Sequence, residues 1–374
     1  MNLLHISPRL RPGGINQLAA DLACGLQQSG FRNTILAPPN ELIGRMTAAS
    51  VHHHSMRKLS LFTWFSEIKR ARRVIGSSRA DIVLAYTTQA AQLAWVACKE
   101  LPEETRPRII GIHTTYPRHR GWALTMECCD ALVATSQHLR EELIRRAKLD
   151  AERSIWVIPY GVNEELCYPG YRPSDTWMEQ WKRYSQKHEG KLSICLPGAI
   201  TPLHGLQDLP AILARLARIN VPVHVYISGD TARADQKFLN QLRKHFQESG
   251  TMDNITWLGL RTDLRDVMSA CQVVLSLARQ PACHDRVILE ALSLGKPVVG
   301  YDHGIVGEML DTYMPSGRVA PGDIAGIADC LEQWHAYLPP SEEALLYPYR
   351  LADTIRGVAE LCTAVCQGRG SSRC

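Results

Sequence analysis

The chain has 374 residues, 45% of them hydrophobic, and a formal net charge of +5. This length suits two domains of ordinary size, and the composition is typical of a globular protein rather than a fibrous or disordered one. No apolar run of about 18 residues occurs, so the sequence predicts no spanning helix. The first residues lack the pattern of a secretion signal, and we expect a cytoplasmic protein.

The twelve cysteines are scattered, and none of them forms a Cys-x-x-Cys pair. Scattered cysteines without paired spacing indicate reduced thiols, mostly buried, rather than a disulfide framework. The spacing also matches no zinc site. We expect no metal.

The charge is uneven along the chain. Residues 1–150 contain 20 Lys and Arg against 12 Asp and Glu, a net charge of +8, and the remainder contains 22 against 25, a net charge of −3. A basic first half indicates an anionic partner, such as a membrane lipid, a phosphorylated glycan or a nucleic acid.

The first half alternates short apolar runs with amphipathic stretches of helical length. The predicted strands are Leu3–Ser7, Thr34–Leu36, Asp81–Ala85, Arg108–Ile112, Ala131–Ala134 and Ile155–Ile158. The predicted helices are Gly14–Ser29, Leu61–Ile75, Thr88–Glu100 and Gln137–Ala147. Such alternation predicts a parallel sheet with helices on both faces.

The pattern breaks at Pro159–Asn163, and a polar, aromatic stretch with one short helix follows to about Gly190. The alternation then restarts. The predicted strands are Leu192–Leu196, Val221–Ile227, Ile255–Leu258, Val273–Leu277 and Pro297–Tyr301. The predicted helices are Gly205–Arg218, Ala232–Ser249, Thr262–Ala270, Arg286–Leu294, Ile324–His335 and Glu342–Gln367.

The sequence therefore predicts an α/β protein with two Rossmann-like, doubly wound domains that face each other across a cleft. We expect the first domain at residues 1–165, a connection at 166–190, the second domain at 191–340, and a C-terminal helix within 341–374 that packs back on the first domain. Sheets of this kind bind ligands at the carboxyl ends of their strands.

Two candidate site elements lie in the first half. Gly13 and Gly14 lie between the first strand and the first helix, where the backbone can approach a phosphate. The motif is not Gly-x-Gly-x-x-Gly, so a nicotinamide cofactor is not indicated; a plain tight turn is the alternative. His113 follows a buried strand and either faces the cleft or has a structural role.

A glycine-containing loop follows the first strand of the second half. It contains Gly198, Thr201 and His204. The threonine offers a hydroxyl, and a histidine is cationic only part of the time near neutral pH. These groups suit contact with a diphosphate.

The segment at residues 280–308 is the most informative part of the chain. Arg286 and Glu290 are spaced i, i+4, which places both on one face of a largely apolar helix. A buried glutamate needs polar partners, and ribose hydroxyls would serve; a surface salt bridge is the alternative. Gly304 and Val306 lie in a second turn into a helix, at the same edge of the sheet.

The stretch Met56–Ile75 places six basic residues around three aromatic ones. Such a helix can lie on an anionic membrane surface. It can also simply cover the sheet. No nucleic-acid-binding module is recognisable, so we do not expect a nucleic-acid partner.

Five segments match one family pattern in order: Pro12-Gly13-Gly14-Ile15, His113, Pro159–Asn163, Glu290–Val299 and Gly304–Glu308. With these segments the chain resembles the nucleotide-sugar glycosyltransferases of family 4, which have the GT-B fold. The resemblance implies retaining transfer of a sugar from a nucleotide diphosphate donor to a glycan or lipid-linked acceptor of bacterial surface polysaccharide type, with no cofactor and no obligatory metal. It also implies that the glycan is built at the inner face of the cytoplasmic membrane. It implies catalytic roles for His113, His204 and Arg286, and donor binding by the glycine turns, Thr201, Glu290 and Val306.

Several positions depart from the family pattern. Ala199 and His204 stand where the family has Arg and Lys, and Ala282 stands in place of the first of two glutamates. His284-Asp285 replaces Phe-Gly, and Ile305 replaces a glycine. A departing diphosphate needs fixed positive charge or backbone amides, and one donor of this kind is worth about 2.7–4 kcal/mol.

Three alternatives stay open from the sequence. The protein is a glycosyltransferase with an unusual donor pocket, in which His204, Arg118 or Arg286 supplies the cation. Alternatively, it is a weak or inactive family member that acts as a binding or partner subunit. A sugar-phosphate-handling enzyme of the same fold is the third.

Overall fold

A computed structural model of the chain describes residues 1–11, 14–116, 128–147, 155–231, 234–340 and 349–368. The chain forms two compact units, Met1–Gly161 with Tyr347–Cys374 and Val162–Leu346. Each unit is built on its own parallel sheet. The predicted α/β fold class with two Rossmann-like domains is confirmed.

In the described part of the first unit, seven strands form the sheet, in the order β3-β2-β1-β4-β5-β6-β7. The strands are β1 (Asn2–Ile6), β2 (Arg32–Ala37), β3 (His52–Ser55), β4 (Ile82–Ala85), β5 (Arg108–His113), β6 (Ala131–Ala134) and β7 (Ile155–Val157). The helices are α1 (Leu18–Gln28), α2 (Leu42–Ala48), α3 (Trp64–Ser78), α4 (Thr88–Cys98), α5 (Gln137–Ala147) and α13 (Leu351–Gln367). The strand order reverses between β1 and β4, and a reversal of this kind opens a ligand crevice at the carboxyl ends of the strands.

The last helix, α13, packs in the first unit, against α1. The absence of a side chain at Gly25 allows this contact, since a Cβ there would lie 2.2 Å from Cδ1 of Ile355. The Thr354 hydroxyl donates to the Pro159 carbonyl at 2.8 Å and accepts from the Gly161 amide at 2.9 Å. These contacts fix the beginning of α13 beside the segment that follows β7.

Two elements of the first unit carry no periodic signal and were not predicted. The strand β3 has the sequence His-His-His-Ser and pairs with β2 at the edge of the sheet, where most of its side chains are exposed. The short helix α2 buries only Met46. Elements that bury little apolar surface show little hydrophobic alternation, so pattern reading misses them.

The described part of the second unit has a six-stranded sheet in the order β10-β9-β8-β11-β12-β13. The strands are β8 (Leu192–Pro197), β9 (Val223–Ser228), β10 (Ile255–Gly259), β11 (Val273–Ser276), β12 (Val298–Tyr301) and β13 (Arg318–Val319). The helices are α6 (Asp175–Ser185), α7 (Leu209–Arg218), α8 (Gln236–Glu248), α9 (Leu264–Ala270), α10 (Arg286–Ser293), α11 (Gly304–Tyr313) and α12 (Ile324–Ala336). The two-residue strand β13 is too short to have been predicted.

The stretch expected to connect the two domains is packed as part of the second unit. Its helix α6 begins at the cap Ser174, whose hydroxyl accepts from the Trp177 amide. The Trp177 indole N–H donates to Asp263 at 2.6 Å, and Trp181 is only 4% exposed. Burial of large aromatic side chains fixes this stretch to its sheet.

Candidate functional site

The carboxyl edge of the second sheet carries four loops that contact one another. The Arg279 amide, after β11, donates to the Leu203 carbonyl, after β8, at 2.9 Å. A Cβ at Gly229, after β9, would lie 2.4 Å from the Gly198 carbonyl oxygen. The Ile305 amide, after β12, donates to the Ala282 carbonyl at 3.0 Å. The loops that carry Gly198, Thr201, His204 and Gly304 therefore form one continuous rim. The helix α10, which carries Arg286 and Glu290, begins at the same edge of the sheet, as parallel topology requires.

The loop after β8 is held by two glycines with positive φ. Gly198 has φ of 141°, and its amide donates to the Ser228 carbonyl at 2.9 Å. Gly205 has φ of 72°, and a Cβ there would lie 1.6 Å from the Leu277 carbonyl oxygen. Only glycine allows this approach of the loop to the segment after β11.

Thr201 and His204 form a pair within this loop, with 2.7 Å between Oγ1 and Nδ1. Burial lowers the pKa of His204 below its ordinary value. The imidazole is therefore mainly neutral at pH 7. Burial reduces the partial positive charge that we expected from the sequence, and His204 is better suited to hydrogen bonding than to charge neutralisation.

The charge state of His204 is testable. A His204→Ala variant is expected to lose the same factor in sugar-nucleotide turnover at pH 6.5 and at pH 8. A lowered pKa leaves the imidazole mostly neutral at both values, whereas a histidine of ordinary pKa would be about half charged at the lower pH. Rate measurements at both pH values on wild type, His204→Ala and His204→Gln test this. A loss several-fold larger at pH 6.5 would contradict it.

A buried polar cluster underlies the same loop, and sequence reasoning missed it. Asp208 is 1% exposed and accepts from the Tyr301 hydroxyl at 2.9 Å and from Arg279 Nε at 3.1 Å. Burial, followed by the hydrogen bond to Asp208, raises the pKa of Tyr301. The cluster joins the loop after β8 to the segment after β11 and to the last residue of β12. Its three members are far apart in sequence and share no motif.

Arg286 and Glu290 contact each other at the start of α10. Arg286 Nε donates to Glu290 Oε1 at 2.6 Å, and the two side chains are 26% and 14% exposed. The predicted i, i+4 geometry is present, and the pair is partly buried. An arginine and a carboxylate held together at a rim of loops can offer both donors and acceptors to a ligand.

Asp285, which stands where the family pattern has a glycine, caps a helix in the structure. Its carboxylate accepts from the Ile288 amide at 3.2 Å and so caps α10. Burial raises the pKa of Asp285 above its ordinary value. The carboxylate therefore caps the beginning of α10, where a negative charge is favourable.

The second glycine turn is shaped by Ala282. Gly304 has φ of 57°, and a Cβ there would lie 2.6 Å from the Ala282 carbonyl oxygen. The side chain of Val306 is 2% exposed and packs beside Gly300. Only the backbone of Val306 is therefore available for the predicted ligand contact. The position that differs from the family glutamate contributes its carbonyl group to the start of α11.

In the first unit, His113 is the last residue of β5 and is 4% exposed. Burial lowers its pKa to about 4, so the imidazole is neutral at physiological pH. Gly14 begins a short 3-10 helix that leads into α1. Both residues lie at the carboxyl edge of the first sheet, as predicted. Gly13 and Arg118 lie outside the described residues.

A second buried histidine lies at the switch point of the first sheet and was also missed. His5, on β1, is 2.8 Å from both the Tyr86 hydroxyl and the Asn33 side-chain oxygen. Burial lowers its pKa to about 4. Because both ring nitrogens have partners, this network is structural.

The predicted residues thus fall into two groups. His113 and Gly14 belong to the first unit, and Gly198, Thr201, His204, Arg286, Glu290, Gly304 and Val306 belong to the second. Among the residues that the structure describes, no group of three or more His, Cys, Asp or Glu side chains is arranged to hold a metal ion.

Known proteins resemble both units. A family model for Glycosyltransferase Family 4 matches residues 12–166, and one for Glycosyl transferases group 1 matches residues 192–336. No curated protein matches the sequence.

Solved structures share the fold over nearly the whole chain. A glycosyltransferase from Rickettsia africae has a TM-score of 0.85 and 18% identity, and the match covers 97% of this chain and 98% of the other. The Anabaena protein HepE in complex with UDP has a TM-score of 0.75 and 17% identity, over 99% and 98%. An α,α-trehalose 6-phosphate synthase from Burkholderia multivorans has a TM-score of 0.72 and 14% identity, over 100% and 99%.

Identities this low show the fold and do not by themselves show the substrate. The two family models do not depend on these structures. One model matches each unit, and together they cover most of the chain. The fold is of the GT-B type, and the chain belongs to the glycosyltransferases of the family 4 type.

Proposed function

We propose that this glycosyltransferase moves a sugar from a nucleotide diphosphate donor to a glycan or lipid-linked acceptor, with retention at the anomeric carbon. The observation that carries the donor assignment is the partly buried Arg286–Glu290 pair, on a helix that begins at the sheet edge where Gly198, Thr201 and His204 also lie. The Anabaena relative HepE, solved with UDP and with UDP-glucose, supports the same donor class.

In this proposal, Glu290 accepts from ribose hydroxyls and the rim supplies donors to the diphosphate. Arg286 contributes a permanent positive charge, and Thr201 and His204 contribute neutral hydrogen bonds. As the bond between the anomeric carbon and the diphosphate breaks, an acceptor oxygen bonds to that carbon. The acceptor proton leaves with the diphosphate. Donors in place before the reaction stabilise the developing negative charge without rearrangement.

One observation favours a second candidate, a weak or inactive family member that binds nucleotide. Ala199 has no charged group, and burial keeps His204 mainly neutral. The rim then has less positive charge than the family pattern provides. Such a protein would bind the donor and release little or no nucleotide from it.

Two measurements test these candidates. We expect calorimetric titration with UDP and GDP to show saturable binding of at least one of them, which both candidates require. Absence of binding to either would overturn the proposal. Release of nucleotide from the matching sugar nucleotide then separates the two candidates, since an active transferase hydrolyses its donor slowly without acceptor and an inactive one does not.

We propose further that the first unit contacts an anionic membrane surface. In the part of the chain that the structure describes, no helix is long and apolar enough to cross a bilayer. At the beginning of α3, however, Leu61, Phe62 and Phe65 are 90%, 98% and 75% exposed. The one acidic residue of Met56–Ile75, Glu67, is fully buried, so the charge exposed on this stretch is positive. Exposed apolar tips flanked by basic side chains suit an interface with anionic lipid.

The membrane proposal predicts a specific loss. A Phe62→Ser, Phe65→Ser variant is expected to bind phosphatidylglycerol-containing vesicles at least about tenfold more weakly, because two aromatic side chains no longer enter the lipid. A double variant with Leu260→Ser and Tyr337→Ser, two exposed residues of the second unit, is the control. Vesicle sedimentation at low salt measures both. Equal binding by the two variants would contradict the proposal.

A further inference from the structure

A cavity of about 450 Å³ lies in the first unit, apart from every residue assigned above to the donor site. It opens between the beginning of α3 and the beginning of α4, so it lies at the carboxyl edge of the first sheet. Its volume is in the range of small-molecule sites, which is about 300–1,000 Å³. The residues that line it are Leu59, Ser60, Leu61, Trp64, Gln89 and Gln92.

The wall of this cavity formed by residues 58–64 is held in an ordered turn. The Thr63 hydroxyl donates to the Lys58 carbonyl at 2.7 Å, and the Trp64 amide donates to the Ser60 carbonyl at 2.9 Å. These local bonds fix Leu61 on the outside of the turn rather than in the core. Leu61 therefore belongs both to the lining of the cavity and to the exposed apolar tip.

The chemistry of the lining selects a class of ligand. It contains an indole, two carboxamides, one hydroxyl and two leucine side chains, and no charged group. Carboxamides both donate and accept, as a ring of hydroxyl groups requires, and a flat indole covers an apolar ring face. An unbranched hydrocarbon chain would fit against the leucines. The combination suits a neutral sugar that carries an alkyl chain.

We propose that this cavity binds a pyranose of an amphiphilic, lipid-linked acceptor. The sugar lies against Trp64, between Gln89 and Gln92, and its hydrocarbon chain leaves the cavity along Leu61 towards Phe62. The inference rests on the proposed function, and it deepens it by choosing the lipid-linked acceptor over a water-soluble glycan. A bilayer that contacts the exposed tip would deliver such an acceptor directly to the cavity.

The experiment uses the full chain and defined probes. Octyl and methyl β-glycosides of glucose, galactose and N-acetylglucosamine are titrated below micelle concentration, with 1-octanol in parallel, and binding is followed by saturation-transfer NMR. We expect at least one octyl glycoside to bind about tenfold or more tightly than its methyl counterpart and than octanol. Trp64→Leu and Gln92→Leu should each weaken that binding by about tenfold, which corresponds to about 1.4 kcal/mol.

The matched control is Trp95→Leu, because Trp95 is a partly exposed tryptophan on α4 that does not line the cavity. It should bind the octyl glycoside like the wild type. If octanol bound as tightly as every octyl glycoside, the inference would be overturned, because an apolar surface alone would then explain the binding of the glycosides. The inference would also be overturned if both cavity variants bound the octyl glycoside with wild-type affinity, or if the wild type bound no glycoside.

Failure of this inference is distinguishable from failure of the proposed function. The donor residues lie in the second unit and the cavity lies in the first. Titration of UDP and GDP into the same cavity variants therefore measures nucleotide binding at the donor site independently of the cavity. Nucleotide binding without glycoside binding would contradict the acceptor site alone. Glycoside binding without any nucleotide binding would contradict the proposed transferase function.

Discussion

Replacement of Gly205 by alanine is expected to prevent the second unit from folding stably. The new Cβ would lie 1.6 Å from the Leu277 carbonyl oxygen, and φ at this position is +72°. The contact is with backbone, so no rotamer change relieves it, and the loop after β8 would have to separate from the segment after β11. We expect a loss of well over about 3 kcal/mol in the free energy of unfolding, measured by urea denaturation.

Gly259→Ala measures the backbone strain alone, so the difference between the two variants gives the steric part of the effect. Gly259 has nearly the same φ, +71°, but a Cβ there would meet no atom within 4 Å. Only the backbone strain remains, and it should cost about 1–2 kcal/mol. If the two variants were equally stable, the close approach of Gly205 to Leu277 would not hold the loop. The proposed donor rim would then lack its main support.

Replacement of Glu290 by glutamine is expected to weaken nucleotide binding by at least about tenfold. In the proposed donor site, the carboxylate accepts from ribose hydroxyls, and hydrogen bonds to a charged group contribute about 1.5–3 kcal/mol. Folding stability should change by less than about 1 kcal/mol, because the ion pair with Arg286 is partly exposed and therefore screened. Calorimetric titration with UDP or GDP, whichever the wild type binds, measures the affinity.

A second glutamate serves as the control. Glu248 is paired with Lys244 at the same i, i+4 spacing, on α8. Glu248→Gln removes a comparable charge from the same unit and should leave the nucleotide affinity unchanged. An unchanged affinity in Glu290→Gln would remove Glu290 from the donor site, and equal losses in both variants would assign the effect to net charge.

The importance of Glu290 and that of Gly205 are recognised from different kinds of information. Glu290 was found from its spacing to Arg286 on an apolar helix, which is a local pattern. Gly205 was predicted only as the start of a helix. Its role depends on the Leu277 carbonyl, which lies 72 positions further along the chain. Helical periodicity predicts which side chains share a face, and it does not predict which loops meet at the edge of a sheet.

The sequence by itself determined the class of fold and the sheet edge that carries the candidate site residues. Alternating strands and helices lead to parallel sheets, and in parallel sheets every strand-to-helix loop emerges at the carboxyl edge. Gly198, Glu290 and Gly304 could therefore be assigned to one rim without coordinates. The amphipathic helix near residues 64–78 was also predictable, because burial of one face imposes its period on the sequence.

Only the tertiary structure decided how that rim is held and charged. The cluster of Asp208, Arg279 and Tyr301 joins residues that no motif connects. The lowered pKa of His204 follows from burial, which no residue type reveals. Likewise, the cavity beside Trp64 exists because two helices begin at the same edge of the sheet. Long-range contacts of this kind leave no periodic trace in the chain, since each depends on residues that folding alone brings together.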